Sequence, residues 1–213
     1  MLVRRGPEPG PFPRHGHYKP HLQPVFRSRC AYCVTPDEMN GGLEGMTVDH
    51  FQPVSRFPHL KLIWINLYYS CSVCNERYKR EHPTEEEESK GHRFVDSCME
   101  DPDDHFRMIR DRKTGALCKV KGLTAAGRYT LGILRFNDRP FLRDFWRLLE
   151  RRERIAKEEL EEANRNIKDS KAIKRRSEDS EEIQQLLGSA IAQHQKILSR
   201  LEDVKSWRPF PVA

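Results

Sequence analysis

No stretch of the 213 residues approaches the roughly 20 consecutive apolar positions that a membrane-spanning helix needs. The opening segment MLVRRGPEPGPFPRHG also lacks the apolar centre of a signal peptide. Membrane-embedded and secreted classes are set aside on these grounds, and a cytoplasmic location is expected. A disulfide framework goes with them, because the six cysteines are expected to stay reduced there. Charge of one sign is scarce too. A third of the residues are charged, yet the formal net charge is only +6. The excess is uneven: residues 1–80 hold 11 Lys/Arg against 6 Asp/Glu, residues 81–140 hold 11 against 12, and residues 141–205 hold 15 against 14. A basic surface on the first 80 residues would attract a polyanion by neutralising phosphates and releasing counterions, although so modest a charge equally serves solubility.

What is present is concentrated in that basic part. CAYC supplies Cys30 and Cys33, CSVC supplies Cys71 and Cys74, and 37 residues separate the pairs. Each C-x-x-C lets two thiolates converge on one point, so two of them make a closed tetrahedral cage suited to structural zinc. A redox role for either pair is disfavoured, since neither sits in a βαβ pattern. Cys98 and Cys118 have no such spacing and are expected to be ordinary thiols.

Between the pairs, GMTVDHF has strand composition, with Gly41 and Gly42 marking a turn before it. Asp49 and His50 are adjacent, so a continuing strand would point them to opposite faces. Pro53 and the lost alternation after Phe51 predict that the strand ends there. Histidine at such a place can take a proton from water near neutral pH. Ser72–Arg80 is expected to be a helix beginning at the second cysteine pair. On it, Asn75 offers an amide oxygen that, with Asp49, would make a sparse oxygen site suited to Mg²⁺ or Mn²⁺. One such ion and one base suffice for phosphodiester hydrolysis.

Four blocks in order, CAYC, VDHFQP, INLYYSC and CSVCNERYK, resemble the HNH endonucleases of the ββα-metal type with a zinc-knuckle support. The resemblance implies an α+β fold with a small zinc-supported nuclease core. It implies His50 as general base, Asp49 and Asn75 as holders of a catalytic Mg²⁺ or Mn²⁺, and zinc on Cys30, Cys33, Cys71 and Cys74. Asn66, grouped with the catalytic set, would pin the loop and orient the base. Asn75 stands where many members have His, and Tyr78 stands where a lysine is usual, leaving Arg77, Lys79 and Arg80 as candidate nucleic-acid contacts. The match spans residues 30–80. Beyond it, RFVDSCMEDPDDHF and AAGRYTLGILRFN resemble the region that follows the nuclease core in HNH proteins of bacterial anti-phage systems, including the Septu and retron-associated type. That likeness implies an ATPase partner that controls cleavage; the expected substrate is nucleic acid, with DNA favoured, although no motif fixes DNA over RNA.

The remainder is expected to divide as follows. Residues 1–27, rich in Pro, Gly, His and Arg, read as an extended arm, with His15, His17 and His21 solvated. Residues 28–140 form the nuclease domain. Within them TEEEESK reads as a solvated loop, the stretch after it as short strands, and LTAAGRYTLGILRFN as a helix capped by Thr124 with Ala126, Tyr129, Ile133 and Phe136 on one face. Residues 141–213 read as a helical hairpin. Asp138 and Pro140 signal its start, Leu142, Phe145, Trp146 and Leu149 make one stripe, and Ile183 to Val204 make a near-heptad second one. The near-balanced charge of the hairpin suggests a packing or partner surface. A zinc-stabilised module that binds nucleic acid or protein without cutting fits the cysteines equally well; it has no need of the Asp49, His50 and Asn75 set.

Overall fold

The computed structural model describes residues 2–80, 82–174 and 181–206, the side chains of 78–80, 173–174, 181–183 and 206 excepted. The chain divides into two compact units, one running to Phe145 and the other beginning at Trp146.

The first unit is built on a strand pair and a helix. β1 (Met46–His50) pairs antiparallel with β2 (Leu67–Cys71), in a register that sets Met46 opposite Cys71 and His50 opposite Leu67. β1 ends at His50, as Pro53 predicts. All five residues of β2 are buried, so the strand is covered on both faces. The chain passes from β2 directly into α3 (Ser72–Arg80), which gives the ββα order. Upstream, α2 (Gly42–Gly45) is a single helical turn that feeds β1. Gly41 sits at φ 89° and a Cβ on Gly45 would lie 1.6 Å from the Asn40 carbonyl oxygen, so the GG-x-x-G spacing is demanded by the turn itself.

The amino-terminal segment departs from the expected extended arm. It is extended only as far as Arg14, then forms a 3-10 turn (His15–Tyr18) and α1 (Lys19–Val25). Tyr18, Leu22 and Phe26 are buried, an i, i+4, i+8 stripe that the prolines around it conceal in the sequence. Pro20 sits at the helix start, where its missing N–H costs nothing. The extended part is tied down as well: Arg5 donates to the carbonyls of Trp64 and Leu67, both at 2.8 Å, and its guanidinium lies 4.6 Å from the Tyr68 ring centre.

Two further elements complete this unit. β3 (Phe106–Arg110) and β4 (Leu117–Gly122) form an antiparallel hairpin, and α5 (Ala125–Leu134) packs on it. Thr124 caps α5 as predicted, accepting from the Gly127 amide at 3.0 Å. The buried face is Ala126, Gly127, Thr130 and Leu134, with Tyr129 and Ile133 only half-buried. TEEEESK is exposed but not a loop. Glu85–Ser89 is a helical turn, α4, because Thr84 and Glu87 form a reciprocal capping box and the acidic first turn suits the helix dipole.

α6 (Pro140–Lys174) starts at the predicted proline, and α7 spans Glu181–Ser206. Leu142, Phe145, Trp146 and Leu149 are all buried, as the stripe predicts. In the second unit Arg152–Glu159 lies beside Arg200–Val204, and Glu162–Asn166 beside Gln193–Ile197, so the two helices run antiparallel. Of the stripe predicted on α7, Ile197 and Leu201 are buried, Ile191 and Leu198 are exposed, and Ile183 lies outside the described side chains. No helix among the described residues is long and apolar enough to cross a membrane.

Candidate active site

The site grows from the end of β1. Asp49 is fully buried, and the Tyr32 hydroxyl donates to its Oδ2 at 2.8 Å. Tyr32 lies inside CAYC, so the first cysteine knuckle also positions the acid. His50, 7 % exposed, lies with Nε2 2.8 Å from the Lys61 carbonyl oxygen. A carbonyl only accepts, so Nε2 carries the hydrogen, and the lone pair of the neutral ring falls on Nδ1. The backbone of one loop residue thus selects the tautomer of His50.

That loop is held by Asn66. Its Oδ1 accepts from the Gln52 amide at 2.7 Å, and its Nδ2 donates to the carbonyls of Gln52 at 3.1 Å and Leu60 at 3.2 Å. Every polar atom of the buried side chain is engaged with backbone, which makes Asn66 a fastener of the segment carrying Lys61.

Asn75 lies on α3, 7 % exposed. Its Nδ2 donates at 2.8 Å to Thr47 Oγ1, which in turn donates to the Ser70 carbonyl at 3.0 Å. The Thr47 hydroxyl proton is therefore committed and its oxygen can only accept from Asn75, which turns the Asn75 carbonyl away. Oδ1 of Asn75 is buried and has no hydrogen-bond partner among the described residues. Thr47 and Asp49 are two apart on β1 and share a face. An orphaned amide oxygen and a buried carboxylate above one strand face are the donors that a hard divalent cation takes.

Arg77 is exposed on α3, and the side chains of Lys79 and Arg80 lie outside those described. Of the amino-terminal histidines, His17 and His21 are exposed, as expected, but His15 is half-buried and packs against His50 with ring centres 4.9 Å apart.

The sulfurs of Cys30, Cys33, Cys71 and Cys74 all lie within 4.8 Å of one another, and all four residues are buried. Such a group can hold a metal ion. Its surroundings favour thiolates. The Cys71 amide donates to Cys30 Sγ at 3.4 Å, Thr35 Oγ1 lies 3.1 Å from Cys33 Sγ, and the Arg139 guanidinium donates to Cys74 Sγ at 3.2 Å. Without an ion, four adjacent thiols cannot all ionise. Burial pushes the Cys30 thiol up, but hydrogen bonds with Cys33 and Cys74 leave it below its ordinary value; the bond with Cys30 lowers Cys71, while bonds with all three neighbours and burial drive Cys74 well above.

Residues 30–81 match the model of the HNH endonuclease family. This segment is an HNH domain. The four cysteines, Asp49, His50, Asn66 and Asn75 all fall inside it. Over 116 residues the chain is 28 % identical to the Septu protein PtuB of Bacillus thuringiensis, an alignment that covers 54 % of this chain and 39 % of that protein. The chain thus spans well under half the length of this relative. No solved structure matches the chain.

The HNH motif made His50, Asp49, Asn66 and Asn75 visible in the sequence, whereas the residues that orient them were missed. Thr47 had a weak signal, two positions before Asp49 on one strand face. Tyr32 had none beyond its place between two cysteines. Lys61 contributes only its carbonyl, which its residue type does not announce, and Arg139 reaches Cys74 from 65 positions away.

Proposed function

We propose that this chain is a metal-dependent endonuclease that hydrolyses phosphodiester bonds in DNA, with His50 as general base. The observation that carries the reading is the Lys61 carbonyl on His50 Nε2 at 2.8 Å, beside the buried Asp49. This bond leaves Nδ1 as the proton acceptor and fixes the plane in which it points. In the proposed reaction His50 Nδ1 removes a proton from water, the water oxygen attacks phosphorus, and the bond to the leaving sugar oxygen breaks, that oxygen taking a proton from solvent. Asp49 and the Asn75 Oδ1 would hold Mg²⁺ or Mn²⁺, which supplies charge neutralisation at the phosphate. Asn66 acts by holding the loop. Arg77, Lys79 and Arg80 stand on the helix that carries Asn75 and would contact the phosphate backbone, in keeping with the positive excess of residues 1–80.

The Cys30, Cys33, Cys71 and Cys74 cluster would hold structural zinc, since a closed set of four thiolates leaves no position for a substrate. The similarity to PtuB supports a role as the nuclease component of a cytoplasmic anti-phage system with an ATPase partner, residues 28–140 cutting and residues 141–213 offering the docking surface.

Purified protein incubated with plasmid should cut with Mg²⁺ or Mn²⁺ and not with chelator. His50→Ala should lower the rate by about 10²- to 10⁴-fold, the usual cost of removing a general base, while zinc content and DNA binding persist. A His50→Ala protein that cuts at the wild-type rate would refute the mechanism. A wild-type protein that binds DNA and never cuts it would leave a zinc-stabilised binding module instead.

A further inference from the structure

His15 opens the 3-10 turn that packs on β1, and its ring centre lies 4.9 Å from that of His50 with the planes tilted by 58°. The turn is clamped on both sides. Tyr18, 1 % exposed, meets Phe12 edge-on at 4.9 Å, and Leu22 is fully buried one helical turn later. Lys19 Nζ donates at 3.0 Å to the carbonyl of Met46, the first residue of the strand that ends in His50. Upstream, Arg5 is fixed to the Trp64 and Leu67 carbonyls, and the Trp64 indole donates to the Gly6 carbonyl at 3.3 Å. A segment anchored this heavily carries one half-buried imidazole to the face of another.

Building on the reading of His50 as general base, we propose that His15 is a second substrate-contacting imidazole, donating an N–H to a non-bridging oxygen of the phosphodiester under attack. In-line displacement puts the attacking and leaving oxygens on opposite sides of phosphorus. A ring in contact with the base stands on the attacking side. It can reach the equatorial oxygens there, and it is badly placed to protonate the leaving oxygen. Charge grows on those equatorial oxygens as the reaction proceeds, so a fixed donor aimed at them binds the transition state more tightly than the ground state. No bond to His15 is made or broken: the water proton goes to His50 and the leaving oxygen is protonated from solvent. The donor comes from a part of the chain 35 positions before the base and outside the 30–81 motif.

The alternative is that the ring merely packs on His50, and three variants separate the two. His15→Ala, His15→Phe and His15→Gln are compared in the full zinc-loaded chain for plasmid cleavage with Mg²⁺ and Mn²⁺, and on a His50→Ala background for equilibrium binding of a duplex oligonucleotide in chelator. Alanine and phenylalanine should both slow cleavage by about 10- to 100-fold, the effect of one hydrogen bond to a charged group. Glutamine, which keeps an N–H but not the ring, should recover part of the loss, and binding should weaken in the same order by a smaller factor. Zinc content and melting temperature report whether each variant is folded. Phenylalanine cutting at the wild-type rate, or glutamine as slow as alanine, overturns the proposal while leaving the nuclease reading intact. Wild-type protein that cuts with neither ion removes the nuclease reading itself, and the role of His15 with it.

Discussion

Asn66→Ala is the substitution whose cost can be worked most fully from the structure. It removes a buried side chain that satisfies three backbone groups, the Gln52 amide and the carbonyls of Gln52 and Leu60. Each group left buried without a partner costs about 1–3 kcal/mol, but the exit loop can relax and rehydrate, so the sum is set near the low end, at roughly 2–4 kcal/mol. For a unit of about 145 residues that corresponds to a fall in melting temperature of roughly 6–12 °C. Cleavage should fall further than stability does, because the freed loop is the one whose Lys61 carbonyl holds His50 Nε2. Asn66→Asp is the informative control. It keeps Oδ1 for the Gln52 amide but turns a carboxylate oxygen toward two carbonyls that need a donor, so it should be no better than alanine. The assays are thermal unfolding of zinc-loaded protein and plasmid cleavage at a temperature where every variant is folded. Asn66→Asp matching the wild type in both would refute the account of Asn66 as a fastener.

Three other outcomes are expected. Cys71→Ser should lower bound zinc and lose cooperative unfolding of the first unit, since structural zinc contributes on the order of 10 kcal/mol in small metal-dependent folds; metal analysis that finds no zinc in wild-type protein purified without chelator removes the premise. Thr47→Val deletes the acceptor for Asn75 Nδ2 and releases the amide to rotate, so the Mg²⁺ or Mn²⁺ concentration for half-maximal cleavage should rise by roughly 10-fold or more, as for other residues that orient metal ligands, with zinc content constant. Burial acts to raise the Glu100 carboxyl, but Arg93 at 2.8 Å and the Asp96 amide at 2.9 Å overcome it and hold the group below its ordinary value of 4.5. A depressed carboxyl stabilises the fold above 4.5 and stops doing so as pH falls through the lowered value, so Glu100→Gln should cost about 1–2 kcal/mol at pH 7 by chemical denaturation and nothing once wild-type Glu100 is protonated; a gap that persists in acid contradicts this.

Much of the nuclease core was readable in the sequence because its signals are local. Pro53 ends β1 where it should, the second C-x-x-C marks the entry to α3, Thr124 caps α5, and Pro140 starts α6. What escaped reading depends on distance or on competition between signals. α1 was hidden because prolines at 20 and 24 suggest extended chain, whereas burial of Tyr18, Leu22 and Phe26 outweighs the one interior proline. The acidic run became α4 because a capping box four residues long overrode charge repulsion. His15 on His50, Tyr32 on Asp49 and Arg139 on Cys74 are tertiary contacts between residues that no spacing rule connects.

The side chain of Asn66 does something more than hold a loop. Past the last backbone pair, His50 opposite Leu67, the Phe51 amide still donates to the Asn66 carbonyl at 2.9 Å, and then the Asn66 amide group exchanges two hydrogen bonds with Gln52 as a peptide of a neighbouring strand would. The hairpin therefore carries one extra rung made by a side chain, and such a rung can close only in a single alignment of the two strands. Sliding β1 by one residue against β2 would exchange the faces of Asp49 and His50. Asn66 works as a proofreader of strand alignment: the error that would take Asp49 from the Tyr32 hydroxyl and His50 from the Lys61 carbonyl is also the error that this one amide cannot accommodate.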